Sequence, residues 1–149
     1  MTSQQTPRQY WMSIMAKSAA SELLSLSDTE AAQQDFEVIR APEIGLTQVR
    51  GRMGGTGSQF NLGDMTITRC VVLSAQGFYG YGYVAGRDKR HAERAAQLDA
   101  ILQDEACFDR VMTHVITPLT KKLEQQQDNH TKEVAQTKVN FFTLVRGED

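Results

Sequence analysis

The stretch Met65–Val84, MTITRCVVLSAQGFYGYGYV, decides the fold class of this chain. Its first nine residues are rich in β-branched side chains and predict a strand over Met65–Leu73. Ala75-Gln76-Gly77 is a turn of hairpin length, and Phe78–Val84 predicts the returning strand. Two strands joined so briefly must run antiparallel. Alternation puts Thr66, Thr68 and Cys70 on one face and Ile67, Arg69 and Val71 on the other. Arg69 therefore sits on an apolar-looking face, where a buried guanidinium would need a partner. Glu43, Asp64 and Asp99 are the candidates, against a ligand or interface role for the same arginine.

Upstream, Phe36–Arg40 reads as a strand, Pro42 interrupts it, and Leu46–Met53 reads as another. Four strands in series with short links predict an antiparallel meander. Downstream, Gly86–Arg94 ends the sheet and opens a helix. Ala92, Ala95, Ala96, Leu98, Ile101 and Leu102 form that helix's apolar side, and alanines would let it lie close to the sheet. Phe108, Val111, Met112, Val115 and Ile116 predict a further helix. Thr117-Pro118 supplies a cap and a first-turn proline for the last one. Near the start, Thr6-Pro7 repeats that device. Trp11, Ile14, Met15, Ala19, Leu23 and Leu26 then recur at helical spacing. Ser27-Asp28-Thr29-Glu30 has the pattern of a capping box, which predicts a second short helix to about Gln34. The expected fold is one α+β domain over residues 1–149: N-terminal helices, a central antiparallel sheet of about four strands, and C-terminal helices.

The C-terminal end divides into two parts. Residues 124–133, EQQQDNHTKE, contain no apolar side chain and cannot pack on the chain's own core. They form an exposed helix, a break near Asp128-Asn129 or a disordered spacer. Beyond them, Val139–Val145 is apolar and β-prone. A final strand is the favoured expectation, a continued helix the alternative. The tail over 139–146, with Phe141, Phe142, Leu144 and Val145, either folds back on its own sheet or docks on another chain.

A length of 149 residues suits a single core. Sixteen basic and eighteen acidic residues leave a net charge of -2, which gives no global pull toward nucleic acid or anionic lipid. Cys70 and Cys107 are the only cysteines: too few for a disulfide scaffold or a cysteine-rich metal site, and expected to be reduced thiols. The N-terminal residues lack a basic region followed by an apolar block, and no run approaches the ~20 apolar residues of a membrane span. A cytoplasmic protein with no membrane contact is expected. His91, His114 and His130 are isolated in sequence, with no spacing of a metal-ligand pair. His91 is expected on a solvated helix start.

The densest glycine cluster is Arg50–Asp64, RGRMGGTGSQFNLGD. It lacks the lysine of a phosphate loop and is followed by a strand, so no helix N-terminus faces an anion. Two readings stay open. One is a hairpin connection. The other is a concave anion nest made by Gly54, Gly55, Thr56 and Gly57, with Arg50 and Arg52 on one strand face gripping phosphate or carboxylate. No nucleophile elbow is present.

Several of these segments together resemble the PhnG family, a subunit of the bacterial carbon–phosphorus lyase machinery for phosphonate breakdown. The residues that carry the resemblance are Arg8-Gln9-x-Trp11-Met12, Pro42-Glu43-x-Gly45-Leu46, the Arg50–Asp64 cluster, Thr66-x-Thr68-Arg69-Cys70, Gly86-Arg87-Asp88 with Ala92, and Asn140-Phe141-Phe142-Thr143-x-Val145-Arg146-Gly147. They span nearly the whole chain. The resemblance implies an accessory or structural subunit working with PhnI, PhnH and PhnJ, and functionally with PhnL. That assembly supports a synthase step in which an alkylphosphonate displaces adenine from ATP, leaving ribose 1-phosphonate 5-triphosphate. It also implies that this chain binds no cofactor. The iron–sulfur cluster and S-adenosylmethionine of the later carbon–phosphorus cleavage belong to PhnJ, and the nucleosidase-like chemistry to PhnI. The competing expectations are a subunit whose arginine–glycine loop completes a phosphate-binding site, and a free-standing anion-binding domain.

Overall fold

A computed structural model of the chain describes residues 6–52, 57 and 59–147. Helices α1 (Pro7–Lys17) and α2 (Ala20–Ala32) lead into strands β1 (Phe36–Arg52), β2 (Gln59–Ser74) and β3 (Tyr79–Ala85); α3 (Lys89–Leu102), α4 (Glu105–Val111) and α5 (Thr117–Gly147) follow. The architecture is α+β, with helices on one face of an antiparallel sheet ordered β1-β2-β3.

Three strands stand among the described residues where four were expected. Phe36–Arg40 and the described part of the Leu46–Met53 run, to Arg52, belong to one strand, because Pro42 does not end it. The ladder shifts register between Arg40 and Glu43, which absorbs the proline in an irregularity. β1 is an edge strand, where a missing N–H deprives no neighbour of a hydrogen bond. The first helix is likewise not continuous to Leu26. Ser18 and Ala19 are extended, and Ser18 Oγ donates to the Met15 carbonyl at 2.9 Å. Thr6 and Gln9 form the capping box that opens α1. Ser27 caps nothing. It is buried inside α2, its hydroxyl turned back to the Leu23 carbonyl, a local bond open to serine within a helix.

The residues around Pro118 also depart from expectation. Thr117 is helical rather than extended, and a π-helical segment, Met112–Ile116, joins α4 to α5. Proline inside a helix lacks an N–H and crowds the carbonyl four residues back. Widening the preceding turn accommodates it, and the Thr117 N–H reaches the Met112 carbonyl instead.

No final strand forms: residues 139–146 lie in α5. A strand there would need a hydrogen-bonded neighbour. Extending a nucleated helix needs only one more residue per bond, and the Glu-, Gln- and Lys-rich run before it favours helix. At 1.5 Å per residue α5 is roughly 46 Å long. Its first turns pack through Leu119 on the core, while residues 124–133 are all exposed.

The core has two parts that meet at α3. Trp11, Met15, Leu23, Leu98, Ile101, Val115 and Leu119 are among the buried side chains joining the helices. Cys70, Val72 and Val84 from the sheet meet Ala92, Ala96 and Ala100 of α3. β3 alternates strictly, with Gly80, Gly82 and Val84 inward and Tyr79, Tyr81 and Tyr83 outward. The glycines set the distance between layers. A Cβ on Gly80 would fall 1.9 Å from the Ala96 carbonyl oxygen, and one on Gly82 2.1 Å from that of Ala92. The alanine face of α3 thus rests directly on backbone.

Candidate functional site

Three regions carry unusual chemistry, and they are distinct in the fold. The first is a carboxylate within the core. Asp99 is wholly buried on α3 and accepts from four groups: Arg8 Nε at 3.2 Å, Arg8 Nη2 at 2.8 Å, Trp11 Nε1 at 2.9 Å and the Tyr81 N–H at 2.9 Å. Arg8 lies over the Tyr81 ring at 5.5 Å and its Nη2 also donates to the Tyr79 carbonyl at 3.3 Å. The hydrogen bond to Asp99 holds the Arg8 guanidinium above its ordinary pKa, against the opposing pull of burial. Gln103 Nε2 donates to the same Tyr79 carbonyl. Together these side chains occupy the outer edge of β3, which is thereby closed to a further strand. All of the carboxylate's lone pairs are engaged, so Asp99 is a structural hub rather than a base.

The second region is the arm. β3 pairs with β2 only over Ile67–Leu73, whereas β1 and β2 continue together from Leu46 to Arg52 and from Gln59 to Thr66. That two-stranded ribbon carries Leu46, Leu62 and Met65 exposed, Leu46 by 72%, with exposed Ile44 next to its base. Arg50 is exposed, and its Nη2 meets Gln48 Oε1 at 3.3 Å. The Arg52 side chain and Gly54, Gly55 and Thr56 lie outside the described residues; Gly57 stands in a bend. The side chains of Phe141, Phe142, Leu144 and Val145 also lie outside them, on a helical backbone.

The third region is the sheet face turned away from α3, and it corrects the reading of Arg69. That face, with Ile67, Arg69 and Val71, is the open one. The face of Thr68 and Cys70 is the buried one. Of the three acids proposed as partners, Asp99 is held by Arg8, Asp64 lies opposite Gln48, and Glu43 lies opposite Arg69 itself without an ion pair. Arg69 Nε is buried and has no hydrogen-bond partner among the described residues.

His91 is not on a solvated surface. It is buried at the first turn of α3, and its Nε2 meets the Met15 carbonyl at 2.8 Å, which requires the proton on Nε2. Asp88 caps the same helix by accepting from the His91 N–H. Sequence reasoning placed His91 in solvent and offered Asp99 to Arg69, whereas His91 is buried and Asp99 is held by Arg8 and Trp11. The available signal for Asp99 was its position in the apolar run LDAIL, where a lone carboxylate implies buried donors.

The two thiols differ. Burial, with a smaller contribution from Glu93, pushes Cys70 up to about 11, so at pH 8 it is protonated and enclosed. Cys107 is half-buried beside Gln34 and Arg110. Brief iodoacetamide treatment of the native chain at pH 8 should alkylate Cys107 and leave Cys70 unmodified, read by peptide mass spectrometry. Equal labelling would contradict the packing of α3 on β2. Among the described residues no three His, Cys, Asp or Glu side chains gather to hold a metal ion, and no helix is long and apolar enough to cross a membrane.

The family profile described as "Phosphonate metabolism protein PhnG" matches residues 6–147. A relative from Rhizobium meliloti (strain 1021), "Alpha-D-ribose 1-methylphosphonate 5-triphosphate synthase subunit PhnG", is 36% identical over 143 residues, which is 95% of this chain and 90% of the relative.

Proposed function

That the chain belongs to the PhnG family is the premise from which we propose an accessory role within a multi-subunit synthase. In that reading the chain supports transfer of an alkylphosphonate to C1 of the ATP ribose. The glycosidic C–N bond breaks, a phosphonate oxygen bonds to C1, and adenine leaves with a proton. PhnI, PhnH and PhnJ are the expected partners in a cytoplasmic hetero-oligomer, with PhnL acting functionally. ATP is substrate to the assembly, and the iron–sulfur cluster and S-adenosylmethionine reside on PhnJ.

The observation that carries this reading is the arm. A two-stranded ribbon is marginal in water by itself, yet here it presents three large apolar side chains and, among the described residues, leaves the outer edge of β1 unpaired. Such a surface calls for protein cover. The described residues supply no corresponding reactive set: the one fully buried carboxylate is saturated with donors, and the buried thiol is held protonated. The exposed helix over 124–133 and the apolar tail at 139–146 are further candidate contacts.

The competing reading puts triphosphate or phosphonate on Arg50, Arg52 and the Gly54–Gly57 loop. The Arg52→Ala variant separates the two. Tagged wild-type and variant chains purified from cells using phosphonate as phosphorus source should carry the same subunits and show the same synthase turnover. Intact assembly with lost turnover would assign the loop to substrate and overturn the accessory role. A wild-type chain that purifies alone would overturn the subunit reading altogether.

A further inference from the structure

The open sheet face is built like the centre of an interface. Tyr79, Tyr81 and Tyr83 stand in a row on β3, exposed by 48%, 38% and 49%. Across the ladder they face Leu73, Val71 and Arg69 in register. The three phenol hydroxyls have no hydrogen-bond partner among the described residues. At the Tyr83 end of the row is Arg69 on the middle strand, half-exposed, with Tyr83 on one side and Glu43 on the other. Its guanidinium reaches Gly45, where the nearest atom to a would-be Cβ is Arg69 Nη2 at 4.0 Å. The guanidinium makes no hydrogen bond or ion pair among the described residues, its dry Nε included, and a partly desolvated charge of this kind calls for an acceptor.

Tyrosine and arginine are the residues most enriched where binding energy concentrates in protein interfaces. They combine flat apolar area with polar ends that want partners. The α1-side cavity beside this row, about 210 Å³ between Met12, Ala16, Tyr81 and Tyr83, has no basic lining residue. Of the guanidiniums near the row, Arg8 over the Tyr81 ring is already bound to Asp99, so it is not free to converge with Arg69 on a small phosphate, which needs several donors.

We propose that this face docks a segment of another synthase subunit that brings an aspartate or glutamate carboxylate onto Arg69 and apolar side chains onto the tyrosine row. The inference rests on the subunit reading above, and it concerns a surface separate from the arm. Fork-to-carboxylate pairing would engage the two Nη groups, which unlike Nε stay accessible. The phenols would close around the pair and exclude water.

The test uses tagged wild-type chain and the Arg69→Met and Arg69→Glu variants co-expressed with the other synthase subunits. Arg69→Met keeps the stem and removes the charge; unchanged thermal unfolding of the isolated variants establishes their fold. Association should weaken by about 30-fold or more in both, the range for removing one member of a desolvated charge pair. Arg69→Lys, which keeps the charge without the fork, should fall between. A photo-crosslinker at Tyr83 in the wild-type assembly should link to another subunit, and no such link would overturn the proposal. Variants that assemble with wild-type affinity would also overturn it while leaving the subunit reading intact. Assembly retained with turnover lost would assign Arg69 to a small anion instead. A wild-type chain that gathers no partners would sink both.

Discussion

Replacing Gly82 with alanine is expected to destabilise the chain by about 3 kcal/mol, at the upper end of what one extra methyl costs in a packed interior. The reason lies in what the methyl would meet. Its Cβ would sit 2.1 Å from the Ala92 carbonyl oxygen and 2.9 Å from the Ala96 nitrogen. Both are backbone atoms of α3, so no side chain can rotate away. The helix must lift, and lifting it opens the contacts of Ala92 and Ala96 with Cys70, Val72 and Val84. Gly80→Ala meets Ala96 oxygen at 1.9 Å and should cost a similar amount. The double variant should cost less than the sum, because α3 moves only once. Gly45→Ala is the control: its Cβ finds only Arg69 Nη2 at 4.0 Å, and its stability should lie near wild type. Urea unfolding of the four variants tests the series. A Gly82→Ala chain with wild-type midpoint would mean that the layers are not in direct contact.

The same glycines explain what was legible beforehand. Tyr-Gly-Tyr-Gly-Tyr followed by an alanine-faced helix states in sequence that one layer rests on another with no side chain between. The hairpin, the α3 apolar face and the split of β2 into two faces are all local patterns, and they hold. What failed were inferences that needed tertiary context. Pro42 reads as a strand end unless β1 is known to be an edge. Thr117-Pro118 does open α5, but Thr117 reads as an extended cap unless a π-helical turn is known to join it to the helix before. The β-prone residues 139–146 read as a strand unless the helix before them is known to be unbroken. The site was less legible than the fold. Alternation assigned Arg69 to a face, but which face the helices would cover was decided by Gly80 and Gly82 on the neighbouring strand. Arg8, Trp11 and Asp99 stand up to 91 positions apart, and nothing in their local sequence announces that they meet.

That meeting yields the second large effect. Asp99→Ala should lower stability by about 3–5 kcal/mol, the range for deleting one partner of a buried ion pair. Two different losses contribute. The Trp11 Nε1–H and the Tyr81 N–H become donors without acceptors in a dry site, at about 1–3 kcal/mol each. Arg8 suffers less, since its side chain is 39% exposed and can turn toward water. Arg8→Ala should therefore cost clearly less than Asp99→Ala, although both remove the same salt bridge. This asymmetry separates a hub from a simple ion pair, in which either deletion would weigh the same. Asp99→Asn should fall between, because its amide keeps one acceptor oxygen but turns an N–H₂ toward donors already there. Urea midpoints give the order, and amide exchange gives the location. The Tyr81 N–H, held at 2.9 Å by Asp99 Oδ2, should lose protection in Asp99→Ala before the β2–β3 ladder does. With that bond gone, the outer edge of β3 keeps only the Gln103 and Arg8 contacts at Tyr79. The variant should then self-associate through the freed edge at concentrations where wild type does not. If Arg8→Ala and Asp99→Ala prove equally destabilising and Tyr81 stays protected, Asp99 is not the anchor of β3.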